Sequence, residues 1–587
     1  MLKVRGRKKR PVKTTVDDEA KLSWSEKWSR LKARLRDPEW LRYGKLLIAG
    51  KFLGLVALAA ILIGGSQLID LVMGTPAMAQ TAAAAAPPDP YLAIKPSEHI
   101  NAMNTGWVLL GAFLVFGMQA GFTMLEAGFC RSRETVNVLV ECVFDTCVCG
   151  LIHWGWGFAF MFGAGNPFIG WHDPNDPTKS FIFMKDVNVG TLYASTGVPV
   201  FAHYLFQFAF ADCASTICSG AMVGRTRFIG DVIYSIGVSG FIYPIFGHWC
   251  WGPDGFLATM GSPGHFLSGL GMNFHDFAGS TVVHSIGGWV AIAGAIMLGP
   301  RLGRKFKRDG GGPMLPHDLT IAVIGGLILW FGWYGFNPCS TLSIMDAAGV
   351  GRVAMNTTLA ACTGGIAAVV LVFFMGGKWD TASIINGFLA GLVAITCPCY
   401  WVSDVGACLL GAVAGLLVVG GMELLEYLRI DDPVGAWPVH GLCGIWGTVS
   451  LGLFASGQYS AAGSSPFGVP AVIAKSPDAL TGLFYGGGTK VLMAQGVGSL
   501  IVCAATFASA MVMFYALKAI RLLRVSAEGE LQGLDLDQHG ISAYPEYVIS
   551  ALTAPHGMDP ATVGSGNLAK APGSAATVRP AALVGSE

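Results

Sequence analysis

The sequence predicts an all-α polytopic membrane protein: about eleven core transmembrane helices in a 5+5 inverted repeat plus one, preceded by an N-terminal signal sequence or extra helix. Three observations carry this reading: a composition too poor in charge for a soluble surface, recurring apolar stretches of membrane-crossing length, and one short pattern that occurs twice. Of 587 residues, 53% are hydrophobic and 13% charged, which is more apolar surface than a soluble core hides. A crossing helix needs about 20 mostly apolar residues. Such stretches lie near 104–126, 138–164, 198–222, 230–251, 277–299, 319–340, 352–376, 383–400, 405–427, 437–457 and 491–518. The 80 glycines suit helices that approach closely in lipid, where small interfacial residues permit tight packing.

Ahead of these stretches, residues 1–45 form a polar, basic extension, nearly all Lys and Arg from Arg5 to Arg10. An apolar run follows, ending in Ala77-Met78-Ala79, so 46–79 reads as a signal peptide or as an uncleaved signal-anchor helix. Residues 80–99 are an Ala/Pro-rich linker, 100–520 the core, and 521–550 a C-terminal segment. Residues 551–587, rich in Ala, Gly, Pro and Ser, are expected to be disordered. If it stays attached, the basic extension is suited to anionic lipids.

Lysine and arginine near helix ends favour the cytoplasm. With the first core helix entering from outside, the inner loops carry Arg131 and Arg133, Arg225 and Arg227, the Arg301–Arg308 cluster, Lys378, Arg429 and the tail after Lys518, whereas the loop 252–275 has no Lys or Arg. The core N-terminus is therefore expected outside and the C-terminus in the cytoplasm. The 14 cysteines are scattered singly along apolar segments, as small buried hydrophobes are. They lack zinc-site spacing, so neither a metal nor a disulfide framework is assigned. A net charge of +1 argues against a nucleic-acid partner.

The repeated pattern places Asp276, Gly279, Val283 and His284 at the same offsets as Asp432, Gly435, Val439 and His440, and a glycine follows each histidine by four residues, at Gly288 and Gly444. The first copy leads from an outer loop into the fifth core helix and the second from an inner loop into the tenth, so the copies run in opposite directions. That is the plan of many transporters, with the pathway near the membrane midplane at the repeat interface. Each histidine lies about eight residues inside its expected entrance, roughly 12 Å along the axis. Ionisable groups at that depth usually face an interior pathway or a partner. Two histidines meeting across an inverted repeat share a proton, each nitrogen donating or accepting in turn.

Asp276 through His284, Phe331 through Asn337, and Asp431 through Val439 to Gly444 resemble signatures of the ammonium transporter family (Amt/Mep/Rh), in its Amt-type form. Met118 to Phe122 with Leu125 to Gly128, Phe206 and Gln207 with Phe210, and Glu530 to Gly540 with Ala543 to Pro545 are similar too, so the likeness covers about 100–548. It implies a channel or transporter that recruits ammonium at an outer aromatic vestibule, deprotonates it, and conducts ammonia, with or without its proton, through a hydrophobic pore. By the same likeness Trp251, Phe210 and Ser340 recruit the cation and Asp276 supports the backbone there. Phe210 and Phe336 form the stacked gate, and His284 and His440 line the pore. Membership further implies a homotrimer in the cell (inner or plasma) membrane and a PII-type regulatory protein at the cytoplasmic tail, with no cofactor.

Departures from the family pattern are Phe208, where a small residue is commoner, and Asp212 inside the third helix. Facing the pore, Asp212 alters selectivity or regulation; facing a neighbouring helix, it makes a packing hydrogen bond. The sequence leaves that open, as it does the role of Gln207. The alternative functions are an ammonium sensor of the same fold that signals through a partner, and an Rh-type gas channel, against which Trp251 and Ser340 speak. An enzyme is not expected, because the histidines lack a nucleophile, metal ligands or a phosphate-binding loop.

Overall fold

Lipid offers no partner to a backbone N–H or C=O, so each apolar stretch closes its hydrogen bonds within itself as a helix. The computed structural model describes residues 98–193, 196–459 and 480–545. The chain divides into Met1–Ala84 and Ala85–Glu587, and every described residue belongs to the second part. The readings made for 1–45, 46–79, 80–97, 546–550 and 551–587 lie outside the described residues.

In chain order the helices are α1 (Glu98–Phe129), α2 (Thr135–Ile152, continued through a π-helical turn His153–Gly157 to Phe158–Phe162), α3 (Val200–Gly220), α4 (Phe228–Gly237, π-helical over Val238–Ile242, then Tyr243–Trp251) and α5 (π-helical over Ser280–Ser285, then Ile286–Leu298). They continue with α6 (Leu319–Phe336), α7 (Ala347–Gly376), α8 (Thr381–Ile395), α9 (Asp404–Leu428), α10 (π-helical over Trp437–Leu442, then Cys443–Phe454) and α11 (Lys490–Ala519). Two short helices end the described chain, α12 (Ala527–Gln532) and α13 (Leu534–His539). Among the described residues, 8 helices are long and apolar enough to cross a membrane. That test leaves out α3, which carries His203, Gln207 and Asp212, the 15-residue α8, and α10 with its π-helical first turn. The chain is thus a mostly helical, polytopic membrane protein.

Helix starts are set by side chains that accept the first free N–H groups. Asp318 caps α6, Asp346 α7, Asp380 α8 and Ser403 α9. One departure from the all-α expectation is a small antiparallel sheet between α2 and α3, ordered β1 (Ala164–Asn166), β2 (Ile169–Asp173), β3 (Asp176–Ser180). Tight turns at Asn166 and Asp173 build it, their side chains accepting from backbone two residues on.

Two close helix pairs position the site. α1 and α6 run antiparallel with their backbones nearly touching: a Cβ on Gly121 would meet Gly325 O and Leu329 N at 3.0 Å. α5 and α10 cross as tightly, since a Cβ on Gly288 would meet Gly441 N at 2.2 Å. At the face carrying the basic loops, Arg301 clasps Asp431 through Nε (2.8 Å) and Nη2 (2.9 Å). The tail joins this clasp: Glu530 accepts from Leu302 N–H at 2.5 Å and from Arg524 at 2.7 Å, and Asp535 accepts from Asn137 N–H at 2.9 Å. Burial raises the Asp431 carboxyl, but the Arg301 and Arg225 guanidiniums outweigh that and hold it well below the usual carboxylate range.

Candidate functional site

The paired histidines owe their positions to two matching helix starts. Gly279 stands at φ +116° and Gly435 at φ +80°, left-handed conformations that glycine alone adopts without strain. Beyond them the chain turns into π-helix, a form that often marks functional positions. The Asp276 carboxylate accepts from the backbone N–H groups of Gly279, Ser280, Thr281 and Val282 at 2.9–3.0 Å. Asp432 does the same for Gly435, Ala436 and Trp437. These carboxylates satisfy donors that a helix start leaves free and complement its dipole. The helices therefore begin at Ser280 and Trp437, and each histidine sits within the first six-residue turn rather than about eight residues in. The expected entrances belong to the Asp-Gly loops.

A recess of about 330 Å³ is lined by Phe162, His203, Phe206, Gln207, Phe210, Trp251, Phe277, Ser340 and Leu342. Trp251, Phe210, Ser340 and Gln207 thus meet in one place. Trp251 donates from its indole N–H to the Asp276 carbonyl at 2.7 Å, which fixes the ring. Ser340 donates to the Phe336 carbonyl at 2.7 Å, leaving its oxygen lone pairs available, while Gln207 Oε1 has no partner among the described residues. Asp276 itself does not line the recess, because its carboxylate is spent on backbone. His203 does line it, and the sequence reading missed this. Its signal was present, since His203, Gln207 and Phe210 fall at i, i+4 and i+7 on one face of α3.

Below the recess the Phe210 and Phe336 rings meet with centroids 4.1 Å apart at 32°. The His284 ring stacks next, 5.3 Å from Phe336 and 5.1 Å from Trp333. Trp333, part of the Phe331–Asn337 signature but given no role from the sequence, is held by its N–H to Thr396 Oγ1 at 3.0 Å. His284 Nδ1 lies 3.2 Å from His440 Nδ1. One of these nitrogens donates and the other accepts, so between neutral rings the donor keeps a bare Nε2 and its partner carries Nε2–H. A proton passing along the pair reverses the roles. His284 Nε2 has no partner among the described residues. His440 then borders a second recess of about 320 Å³, lined also by Phe122, Glu126, Asn386 and Val434. Two recesses are thus joined through two phenyl rings and two imidazoles, with apolar walls that make passage of a bare ion costly.

Asp212 belongs to neither recess. It is fully buried on the opposite face of α3 from Phe210, and both its carboxylate oxygens lack hydrogen-bond partners among the described residues.

Comparison with known proteins gives the family. Residues 106–544 match the Ammonium Transporter Family. The chain is 39% identical over 455 residues to ammonium transporter Amt2 of Archaeoglobus fulgidus, covering 77% of this chain and 90% of that one. It is 37% identical over 435 residues to ammonium transporter 1 member 1 of Arabidopsis thaliana, covering 72% and 81%. Among solved structures it is similar to a Sensor Amt Protein, with TM-score 0.63 and 33% identity over 75% of this chain and 99% of that one. It is also similar to Mep2 of Candida albicans, with TM-score 0.63 and 27% identity over 79% and 94%. With most of its length matched by the family and by relatives well above the identity at which kinship is secure, the chain belongs to the ammonium transporter family.

Proposed function

We propose that the protein transports ammonium across the cell membrane, collecting the cation in the Trp251 recess and passing ammonia between Phe210 and Phe336 to the histidine pair. The observation that carries this reading is the unbroken order of recess, phenyl pair, imidazole pair and second recess. The Trp251 and Phe210 ring faces attract a cation by about 0.5–2 kcal/mol each, and Ser340 and Gln207 offer oxygen acceptors to N–H donors. The phenyl gate excludes hydrated ions, because charge without water or a counter-charge is costly in an apolar passage. Ammonium passes by yielding a proton, and potassium has none to yield.

In this reading α1 to α11 all cross the membrane, with α1 to α5 and α6 to α10 as inverted halves. The Trp251 recess opens outward, and the tail lies in the cytoplasm. The protein is a homotrimer whose tail, held by Leu302 and Asn137, offers the site for a PII-type regulator. Asp276 acts by shaping the helix start and aiming Trp251. A second reading, an ammonium sensor working through a partner, draws on the likeness to the Sensor Amt Protein.

Proteoliposomes given an ammonium pulse decide between them, with potassium as control and the double variant His284→Ala, His440→Ala as reference. Saturable current from wild type alone supports electrogenic transport through the histidines. A lumenal pH change without current indicates net ammonia passage. Specific ammonium binding with neither signal moves the assignment to the sensor.

A further inference from the structure

Beside the pore, five carboxyl side chains are buried together: Glu126 on α1, Glu141 and Asp145 on α2, Asp212 on α3 and Asp231 on α4. The charges that act most strongly on them are each other's: Asp145 acts on Asp212 and on Asp231, and Asp231 acts on Glu141 and Glu126. The polar partners of Asp145 and Glu126 are hydroxyls. Ser215 donates to Asp145 at 2.8 Å, Thr216 stands 3.4 Å from it, and Ser219 meets both Glu126 oxygens at 2.9–3.0 Å. Asp212, Ser215, Thr216 and Ser219 share the face of α3 turned away from Phe210. Glu141 Oε1, Asp231 Oδ2 and both Asp212 oxygens have no hydrogen-bond partner among the described residues. Tyr234, Cys142, Cys149, Cys213 and Cys218 are other titratable side chains facing the cluster, and Cys130 and Asp432 face Glu126.

Carboxylates grouped in a dry interior must be neutralised by a bound cation or by protons. Among the described residues no three His, Cys, Asp or Glu side chains are placed to hold one metal ion, so protons remain. The cluster also has two ends. Asp231 lies in the first turn of α4 and Glu141 in the second turn of α2, at the face where Asn137 binds the tail. Glu126 lines the second recess together with His440.

We propose that Glu141, Asp145, Asp212 and Asp231 form a proton store filled from the cytoplasmic end, and that Glu126 hands its protons to ammonia arriving in the second recess. The step balances: the ammonia lone pair takes the proton of the Glu126 carboxyl as that O–H bond breaks, leaving ammonium and a carboxylate. The store returns a proton to Glu126 across the hydroxyl face of α3, and water at the cytoplasmic end refills it, an O–H bond of that water breaking to leave hydroxide in the cytoplasm. Ammonia is thereby trapped as the cation on the inner side. This rests on the transport reading above, which fixes the second recess as the exit.

Infrared spectroscopy of the wild-type protein in lipid at neutral pH, in water and in heavy water, tests the store without requiring transport. A carbonyl band of protonated carboxylic acids that shifts on deuteration, and loses intensity in Asp212→Asn, is expected; Glu141→Gln serves in its place if the first variant fails to fold. Absence of the band, or a band unchanged in these variants, overturns the store. In proteoliposomes Glu126→Gln is expected to slow ammonium-driven flux about tenfold or more, as loss of a positioned proton donor does, with ammonium binding kept. Wild-type flux in Glu126→Gln overturns the hand-over. A wild-type protein that shows the band but carries no ammonium refutes transport and leaves the store standing.

Discussion

Asp276→Ala tests the link from one carboxylate to the shape of the recess. Four backbone N–H groups lie within 2.9–3.0 Å of the Asp276 carboxylate, in a site where that residue is 4% exposed. Removing the acceptor strands donors that water cannot easily reach, at about 1–3 kcal/mol each. Even at about 1 kcal/mol per group the loss is roughly 4 kcal/mol, a large part of a typical folding stability. Asp276→Asn keeps one accepting oxygen, so two bonds survive and the loss is about half as large. The same change moves the Asp276 carbonyl that holds the Trp251 indole at 2.7 Å, so ammonium affinity falls together with stability. The assay pairs thermal unfolding in lipid nanodiscs with ammonium flux at equal membrane abundance, for wild type, Asp276→Asn and Asp276→Ala. The expected order is wild type, Asn, Ala in both readouts, with transport abolished in Ala. An alanine variant with wild-type unfolding and wild-type flux would refute the reasoning.

Further outcomes are expected elsewhere. Trp251→Leu removes one ring face from the recess, and a cation–π loss of about 0.5–2 kcal/mol raises the half-saturating ammonium concentration about 2- to 30-fold, measured by flux against potassium competition. Gly288→Ala forces a methyl group against the Gly441 backbone N, 2.2 Å from the added Cβ; overpacking of about 1–3 kcal/mol or more and a spread histidine pair follow, read by unfolding and by flux. Asp431→Ala leaves Arg301 buried without its partner, at about 3–5 kcal/mol, and frees the tail to limited proteolysis. Because the Asp431 carboxyl lies below its unfolded value in the folded protein, its contribution is fully present above about pH 3.9. It is lost only as pH falls from there through the lower folded value, so acid unfolding of wild type should begin below that pH and the variant should lack this step.

Much of this was legible in the chain. The apolar stretches gave helix positions to within a few residues, because a membrane span must be long, apolar and self-bonded whatever surrounds it. The offsets shared by Asp276 and Asp432 marked the two helix starts that the structure builds alike. What the pattern misjudged was local conformation: it took the Asp-Gly loops as the first helical turns, because a left-handed glycine and a carboxylate cap leave no trace in hydropathy. The sheet between α2 and α3 went unread for a similar reason, its strands being too short for a period to emerge.

By itself the sequence determined the membrane class, the order of the helices and the two histidines that the structure pairs, since these depend on composition and on spacing along one chain. Only the tertiary structure decided which residues share a space. It brought Trp333 against His284, placed His203 in the Trp251 recess, and turned Asp276 from the recess to the backbone. It also set Asp212 on the far face of α3 among four other acids. Those outcomes depend on how far one helix is rotated against the next, and that rotation follows from where glycines let backbones touch, at Gly121 with Gly325 and Gly288 with Gly441.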